Sequence, residues 1–181
     1  MRITPYGAWP SPIAATDLTV ERADVLVNAA NACLLGGGGV DGALHSAAGP
    51  ALLAECRRLR ASQHPDGLGV GRSVATGAGR LPARWVIHTV GPNRSAGQTD
   101  ESLLAGCYTS SLDIACGLGA TTVAFPAVGA GVYGWDATTA ARVAVDAVLR
   151  HPRTGIERVR FVLFNPALLR AFTDTLDAAR A

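Results

Sequence analysis

Apolar positions along this chain follow two rhythms. Short, nearly continuous apolar runs rich in β-branched residues occur at Asp24 to Ala30, Arg84 to Val90, Thr121 to Ala127 and Arg158 to Phe164, and such runs predict strands buried on both faces. Between them, apolar residues recur at helical spacing over Val40 to Ala48, Ala51 to Arg60, Asp100 to Cys116, Asp136 to Arg150 and Pro166 to Ala179. Asp100 and Asp136 stand where helix N-caps are expected, accepting amide hydrogens that the first turn leaves unpaired. The glycine-rich stretch from Gln63 to Arg84 predicts a connection with one edge strand. Strands alternating with helices imply an α/β domain with helices covering both faces of a sheet. No repeat, low-complexity tract or linker interrupts the pattern, so one domain spanning residues 1–181 is expected.

Composition narrows the function classes. The hydrophobic content of 49% supports a substantial core, and a net charge of +2 is too small to argue for a nucleic-acid footprint. All 16 basic residues are arginine. A phosphate loop of the G-x-x-x-x-G-K-[ST] type is therefore impossible, and nucleoside triphosphate hydrolysis by that route is excluded. Cys33, Cys56, Cys107 and Cys116 form no C-x-x-C pair and no metal-ligand spacing with histidine, so the expectation is four reduced, mostly buried thiols and no metal. The N-terminal residues lack the apolar core of a leader, and no apolar run reaches the ~20 residues of a membrane span. A cytoplasmic location is expected.

Two glycine loops carry the candidate chemistry. Gly37, Gly39 and Gly42 satisfy G-x-G-x-x-G, as do Gly129, Gly131 and Gly134. Two matches in one chain show how little that pattern says alone. Each loop, however, follows a predicted strand and precedes a predicted helix, where free amides and a helix N-terminus favour an anion. Ligands of open α/β sheets bind at the carboxyl ends of strands, so two such loops can grip one diphosphate from opposite sides. A dinucleotide-binding site would also need an acid at the end of the next strand, and neither loop is followed by one. Four consecutive glycines, Gly36 to Gly39, cost conformational entropy, for which close approach of a ligand to backbone is the natural compensation.

The segments Asp24 to Pro50, Arg80 to Pro92, Leu103 to Ala115 and Thr121 to Asp136 resemble, in order, the signature segments of macrodomains. V-N-A-A-N followed by G-G-G-G-V-D-G is the most specific part, and the subgroup it resembles is the MacroD type. That resemblance implies a three-layer α/β/α fold with a central mixed sheet of about six strands. It also implies hydrolysis of O-acetyl-ADP-ribose and removal of mono-ADP-ribose from acidic side chains, without a cofactor. Implied partners are ADP-ribose and mono-ADP-ribosylated proteins; nucleic acid is a further option without support from the charge. Carried over residue by residue, Asp17 accepts the adenine amino group, with Leu18 beside it. Asn31 bonds the distal ribose, and Gly38, Gly39 and Val40 form the first diphosphate loop. Asp41 is the catalytic aspartate. Gly129, Ala130, Gly131, Val132 and Tyr133 form the second loop, with Tyr133 against the distal ribose, and Phe164, at the end of the last strand, packs on adenine. Gly129 and Ala130 replace the family's usual Ser-Thr pair, Thr16 replaces a glycine, and Trp135 with Asp136 replaces an aromatic-proline pair, read as a small change in loop shape.

Elementary chemistry agrees with the enzyme reading. Hydrolysis at the anomeric carbon of a ribose passes through an oxocarbenium-like state and needs a placed water. Asp41 can polarise that water while Asn31 fixes the ribose hydroxyls. Structural duty is the competing account, since an acid in a first helical turn gains about 0.3–1 kcal/mol from the macrodipole. Yet negative charge beside a diphosphate weakens binding, and a module that only binds would gain by discarding it. His45, one helical turn past Asp41, and His88, inside a strand, are expected to be structural. Arg72 and Arg94 are expected at the surface. A non-catalytic reader of ADP-ribose, an ADP-ribose 1″-phosphate phosphatase and a nicotinamide-dependent oxidoreductase remain alternatives at this stage.

Overall fold

A computed structural model describes residues 13–152 and 154–180. Residues 1–12, on which the expectation about a leader falls, lie outside the described residues. Among the described residues, six strands form one sheet: β1 (Ile13–Ala14), β2 (Val25–Ala30), β3 (Ser73–Gly77), β4 (Trp85–Val90), β5 (Thr122–Phe125) and β6 (Arg158–Val162). Their order is β1-β6-β5-β2-β4-β3, with every neighbouring pair parallel except β3 against β4. The expected edge strand before Trp85 is β3, and the sheet is mixed because of it. Five helices complete the fold: α1 (Gly39–Ala48), α2 (Pro50–Ser62), α3 (Glu101–Gly117), α4 (Ala137–Arg150) and α5 (Pro166–Ala178).

Alternation along the strands separates two cores. Val25 and Val27 of β2 point with Ile87, Phe125 and Phe161 toward α3, α4 and α5, whereas Leu26 points with Val86, Ala124 and Val162 toward α1 and α2. This is the α/β/α layering of a parallel-rich sheet. Two expected strand ends need correction. β5 stops at Phe125, before Pro126, because proline has no amide to extend the ladder. β6 stops at Val162, so Phe164 lies two residues beyond the strand and not at its end.

Caps and side-chain ties fix the loop positions. Asp100 accepts from the Ser102 amide and Asp136 from the Thr139 amide, as helix N-caps. At the opposite edge of the sheet from the glycine loops, the Asp24 carboxylate accepts from the Thr121 amide and hydroxyl and from the Thr122 amide. Burial alone would raise the Asp24 pKa, and these hydrogen bonds outweigh it and lower the pKa. The start of β5 is thereby tied to the start of β2, and their carboxyl ends, which carry the two glycine loops, emerge side by side.

Candidate active site

A cleft of about 980 Å³ opens at the carboxyl ends of β2, β5 and β6. It lies where chain connections leave β2 in one direction and β5 in the other, the usual ligand position of an open α/β sheet. Asp17, Leu18, Asn31, Gly38, Gly39, Val40, Asp41, Gly129, Ala130, Gly131, Val132, Tyr133 and Phe164 all line it. The structure thus brings together in one cleft every binding and catalytic residue named from the sequence. Asp17 is exposed and caps a 3-10 turn, Leu18–Val20, by accepting from the Thr19 amide. Phe164 is 77% exposed, an aromatic face on the cleft wall without apolar cover.

The first glycine loop runs from the end of β2 into α1. Gly38 caps that helix without any side-chain hydrogen bond, which leaves the first amides of α1 facing the cleft. A Cβ on Gly42 would stand 2.4 Å from the Gly37 carbonyl oxygen, so the loop can fold back onto the helix only with glycine there. The second loop is anchored from below. The Val128 amide donates to the Tyr108 hydroxyl, and Trp135 Nε1 donates to the Pro92 carbonyl. Gly129 has a left-handed φ of 80°, and its Cβ would lie 2.7 Å from Trp135 Cδ1. Trp135 is therefore more than the small change of loop shape expected: its buried indole fills the space that a side chain at position 129 would need.

Asp41 is the electrostatic centre of the site. Although it lies in the first turn of α1, its side chain is buried, and Asn28 Nδ2 donates to its Oδ1 at 2.7 Å. His45 Nε2 stands 3.4 Å from the same oxygen. Oδ2 has no hydrogen-bond partner among the described residues. Burial raises the carboxyl pKa, and the bond from Asn28 and the charge of His45 only partly oppose it. Such a group is a stronger base than an exposed aspartate. Asn31, half-buried, spends Nδ2 on the Gly36 carbonyl at 3.1 Å and accepts at Oδ1 from the Cys33 amide and thiol. One Nδ2 hydrogen remains for a ligand. A Cβ on Gly37 would stand 3.0 Å from Asn31 Nδ2 and 3.1 Å from Asp41 Oδ2. A point beside Gly37, itself a lining residue of the cleft, thus lies within hydrogen-bonding distance of both a donor and an acceptor.

Several side chains depart from expectation. Cys33 is exposed and Cys116 half-buried, leaving only Cys56 and Cys107 in the core; the thiols are therefore not mostly buried, because Cys33 belongs to the turn after β2. His88 is fully buried, yet it makes polar contacts and does more than pack. Asn28 Nδ2 lies 3.1 Å from its Nδ1, and Thr76 Oγ1 and Cys56 Sγ lie 2.9 and 3.6 Å from its Nε2. Asn28 itself escaped the sequence reading. Its signal is an amide at the centre of an apolar strand, where a polar side chain must find a buried partner. Arg72 and Arg94 are exposed as expected, Arg94 lying over the Trp135 ring at 5.3 Å.

The Macro domain family model matches residues 27–144. The chain belongs to the Macro domain family. Among relatives of the macrodomain, a macro domain-containing protein of Streptomyces nogalater is 57% identical over 163 residues, covering 90% of both chains. A protein of Cronobacter sakazakii named O-acetyl-ADP-ribose deacetylase is 47% identical over 154 residues, covering 82% of this chain and 83% of that one. The Oceanobacillus iheyensis macrodomain solved with ADP superposes with a TM-score of 0.87 at 36% identity, covering 93% of this chain and 90% of that one. The six-stranded mixed sheet with five helices, among the described residues, is the macrodomain α/β/α fold, and the chain is a macrodomain. Among the described residues, no helix is long and apolar enough to cross a membrane.

Proposed function

We propose that this macrodomain is a mono-ADP-ribosyl hydrolase that releases ADP-ribose from aspartate and glutamate side chains and cleaves O-acetyl-ADP-ribose. The observation that carries the reading is the Asp41 carboxylate, buried, raised in pKa and with Oδ2 unpartnered opposite Asn31 Nδ2. A module that only bound a diphosphate would be weakened by that charge, whereas a hydrolase needs a base beside the distal ribose. The diphosphate lies between the amides of Gly38 to Val40 and those of Gly129 to Tyr133. Asp17 accepts from the adenine amino group, and Phe164 packs on its ring. Asn31 donates its remaining amide hydrogen to the distal ribose, and Tyr133 walls the sugar. Asp41 Oδ2 takes a proton from the water as its oxygen bonds to the anomeric carbon and the protein carboxylate leaves; on the acetyl ester the water oxygen bonds to the acyl carbon, and the proton passes on to the departing ribose oxygen. The name of the Cronobacter relative supports the acetyl-ester activity. Free, unpaired thiols at all four cysteines suit a reducing cytoplasm, where modified proteins are the partners.

The test is release of ADP-ribose from a glutamate-modified protein, and of acetate from O-acetyl-ADP-ribose, by wild type, Asp41→Ala and Asn31→Ala. Both variants should lose about 100-fold or more in turnover. Wild-type protein that binds ADP-ribose but releases none from either substrate would make it a reader. Undiminished turnover by Asp41→Ala would remove that residue from the mechanism.

A further inference from the structure

Behind Asp41 and Asn31 lie buried polar residues to which the hydrolytic step assigns no role. Asn28 and His88 are register partners on the central strands β2 and β4, and neither exposes any surface. Their contacts admit one consistent arrangement of hydrogens. Asn28 Nδ2 faces Asp41 Oδ1 at 2.7 Å and His88 Nδ1 at 3.1 Å. An ionised carboxylate only accepts, so one amide hydrogen goes to Asp41. The other reaches His88 Nδ1, which accepts it only when the ring proton sits on Nε2. That proton has Thr76 Oγ1 as its acceptor at 2.9 Å. Burial first, and the charge of His45 second, push the His88 pKa down to about 3, so the ring stays neutral at any working pH. Turning the amide over would set Asn28 Oδ1 against the ionised Asp41 Oδ1, two acceptors with no hydrogen between them.

We propose that His88, with its ring proton on Nε2, is a positioning residue: it fixes the Asn28 amide, which holds one Asp41 oxygen and leaves the other unpartnered. The catalytic consequence rests on the hydrolase reading above; the positioning itself does not. The titratable groups facing this chain are Asp41 and His45 from α1 and Cys56 and Glu55 from α2. Burial, then Asp41 and Glu55, push the Cys56 thiol up to about 11, so it adds no charge of its own.

Two spectroscopic readouts and one kinetic readout test the proposal on wild type, Asn28→Leu, His88→Leu, their double variant and Thr76→Val. Nitrogen-15 shifts of the imidazole should show Nδ1 unprotonated and Nε2 protonated; the reverse tautomer overturns the proposal. Carbon-13 titration of the Asp41 carboxyl should move to higher pH in each single variant. It should move no further when His88→Leu is added to Asn28→Leu. The acid limb of the pH–rate profile should follow it, with turnover near neutral pH down by about 10-fold to 100-fold and ADP-ribose affinity within about 2-fold of wild type. A His88→Leu protein that loses thermal stability while Asp41 titrates as in wild type overturns the positioning role. So does a shift by His88→Leu that persists undiminished in the Asn28→Leu background. If His88→Leu does not fold, Thr76→Val decides: a wild-type Asp41 titration there overturns the proposal. Absence of turnover in wild type would sink the hydrolase reading, and the two spectroscopic readouts would still decide this one.

Discussion

Replacing Gly37 by alanine should separate stability from catalysis. Gly37 is not among the glycines held at positive φ, so its backbone is open to any L-residue. Alanine there removes freedom from the unfolded chain, a gain of about 0.4–1 kcal/mol. Within 4 Å the new methyl meets only two heavy atoms outside its chain neighbours, Asn31 Nδ2 at 3.0 Å and Asp41 Oδ2 at 3.1 Å. Both distances are a few tenths of an ångström too short for carbon, so the side chains must yield slightly, which offsets much of that gain. In a chain of this size 1 kcal/mol moves Tm by about 2–4 °C, so the melting temperature should stay within about 4 °C of wild type. The effect on turnover is of another order. The methyl occupies a point from which an oxygen could accept from Asn31 and donate to Asp41. Losing an aligned base costs about 100-fold to 10,000-fold, or about 3–5 kcal/mol of transition-state stabilisation. Single-turnover release of ADP-ribose from glutamate-modified protein measures the loss, calorimetry with ADP-ribose measures binding, and a thermal melt measures the fold. Turnover within 2-fold of wild type would refute the reasoning, and so would a Tm fall beyond 10 °C, which would show that the backbone needs glycine.

Three other variants extend the test. Asp41→Asn should raise Tm at neutral pH while abolishing turnover. A carboxyl whose pKa is raised on folding stabilises the fold only while protonated, so wild type loses that contribution as pH rises through the folded pKa, and the advantage of asparagine should shrink in melts taken below about pH 4. Gly129→Ser, which installs the family's usual residue, should lower Tm by roughly 2–10 °C and weaken ADP-ribose binding, because φ is 80° and Trp135 Cδ1 stands 2.7 Å from the new Cβ; a stable, fully active Gly129→Ser protein would show that the loop repacks freely. Phe164→Ala should leave Tm unchanged, its ring being 77% exposed, while ADP-ribose affinity measured by calorimetry falls by about 2-fold to 10-fold.

What the sequence disclosed, and what it withheld, follows from the range of the interactions involved. Strand and helix positions were legible because burial on both faces writes a continuous apolar run, as at Val25 to Val27, and because Asp100 and Asp136 act within their own first turns. The cleft residues were legible through the ordered motifs, which local spacing preserves. Among the described residues β1 comprises Ile13 and Ala14, two positions that carry no periodic signal, and it is placed by its pairing with β6. The interplay of Gly129 with Trp135 was hidden for a different reason: glycine at a loop reads as flexibility, whereas here it is the complement of an indole held by the Pro92 carbonyl. Asn28 was hidden because its partners lie 13 and 60 residues away, on α1 and β4.

These hidden contacts converge on Asp41. Burying a carboxylate destabilises the fold, and the sequence around it carries the remedies in places that only topology joins: an amide from β2, an imidazole from one turn along α1, and an uncapped helix start. None of them satisfies Oδ2. If Asp41 were merely a structural acid favoured by the helix dipole, its second oxygen would face water or a donor, as at Asp100 and Asp136, whose pKa values are lowered by hydrogen bonds from Ser102 and Thr139. Asp41, in the first turn of α1 and not at its cap, departs in the opposite direction. A charge kept against the fold, beside two loops suited to an anion, is what the proposed role of Asp41 as a base requires.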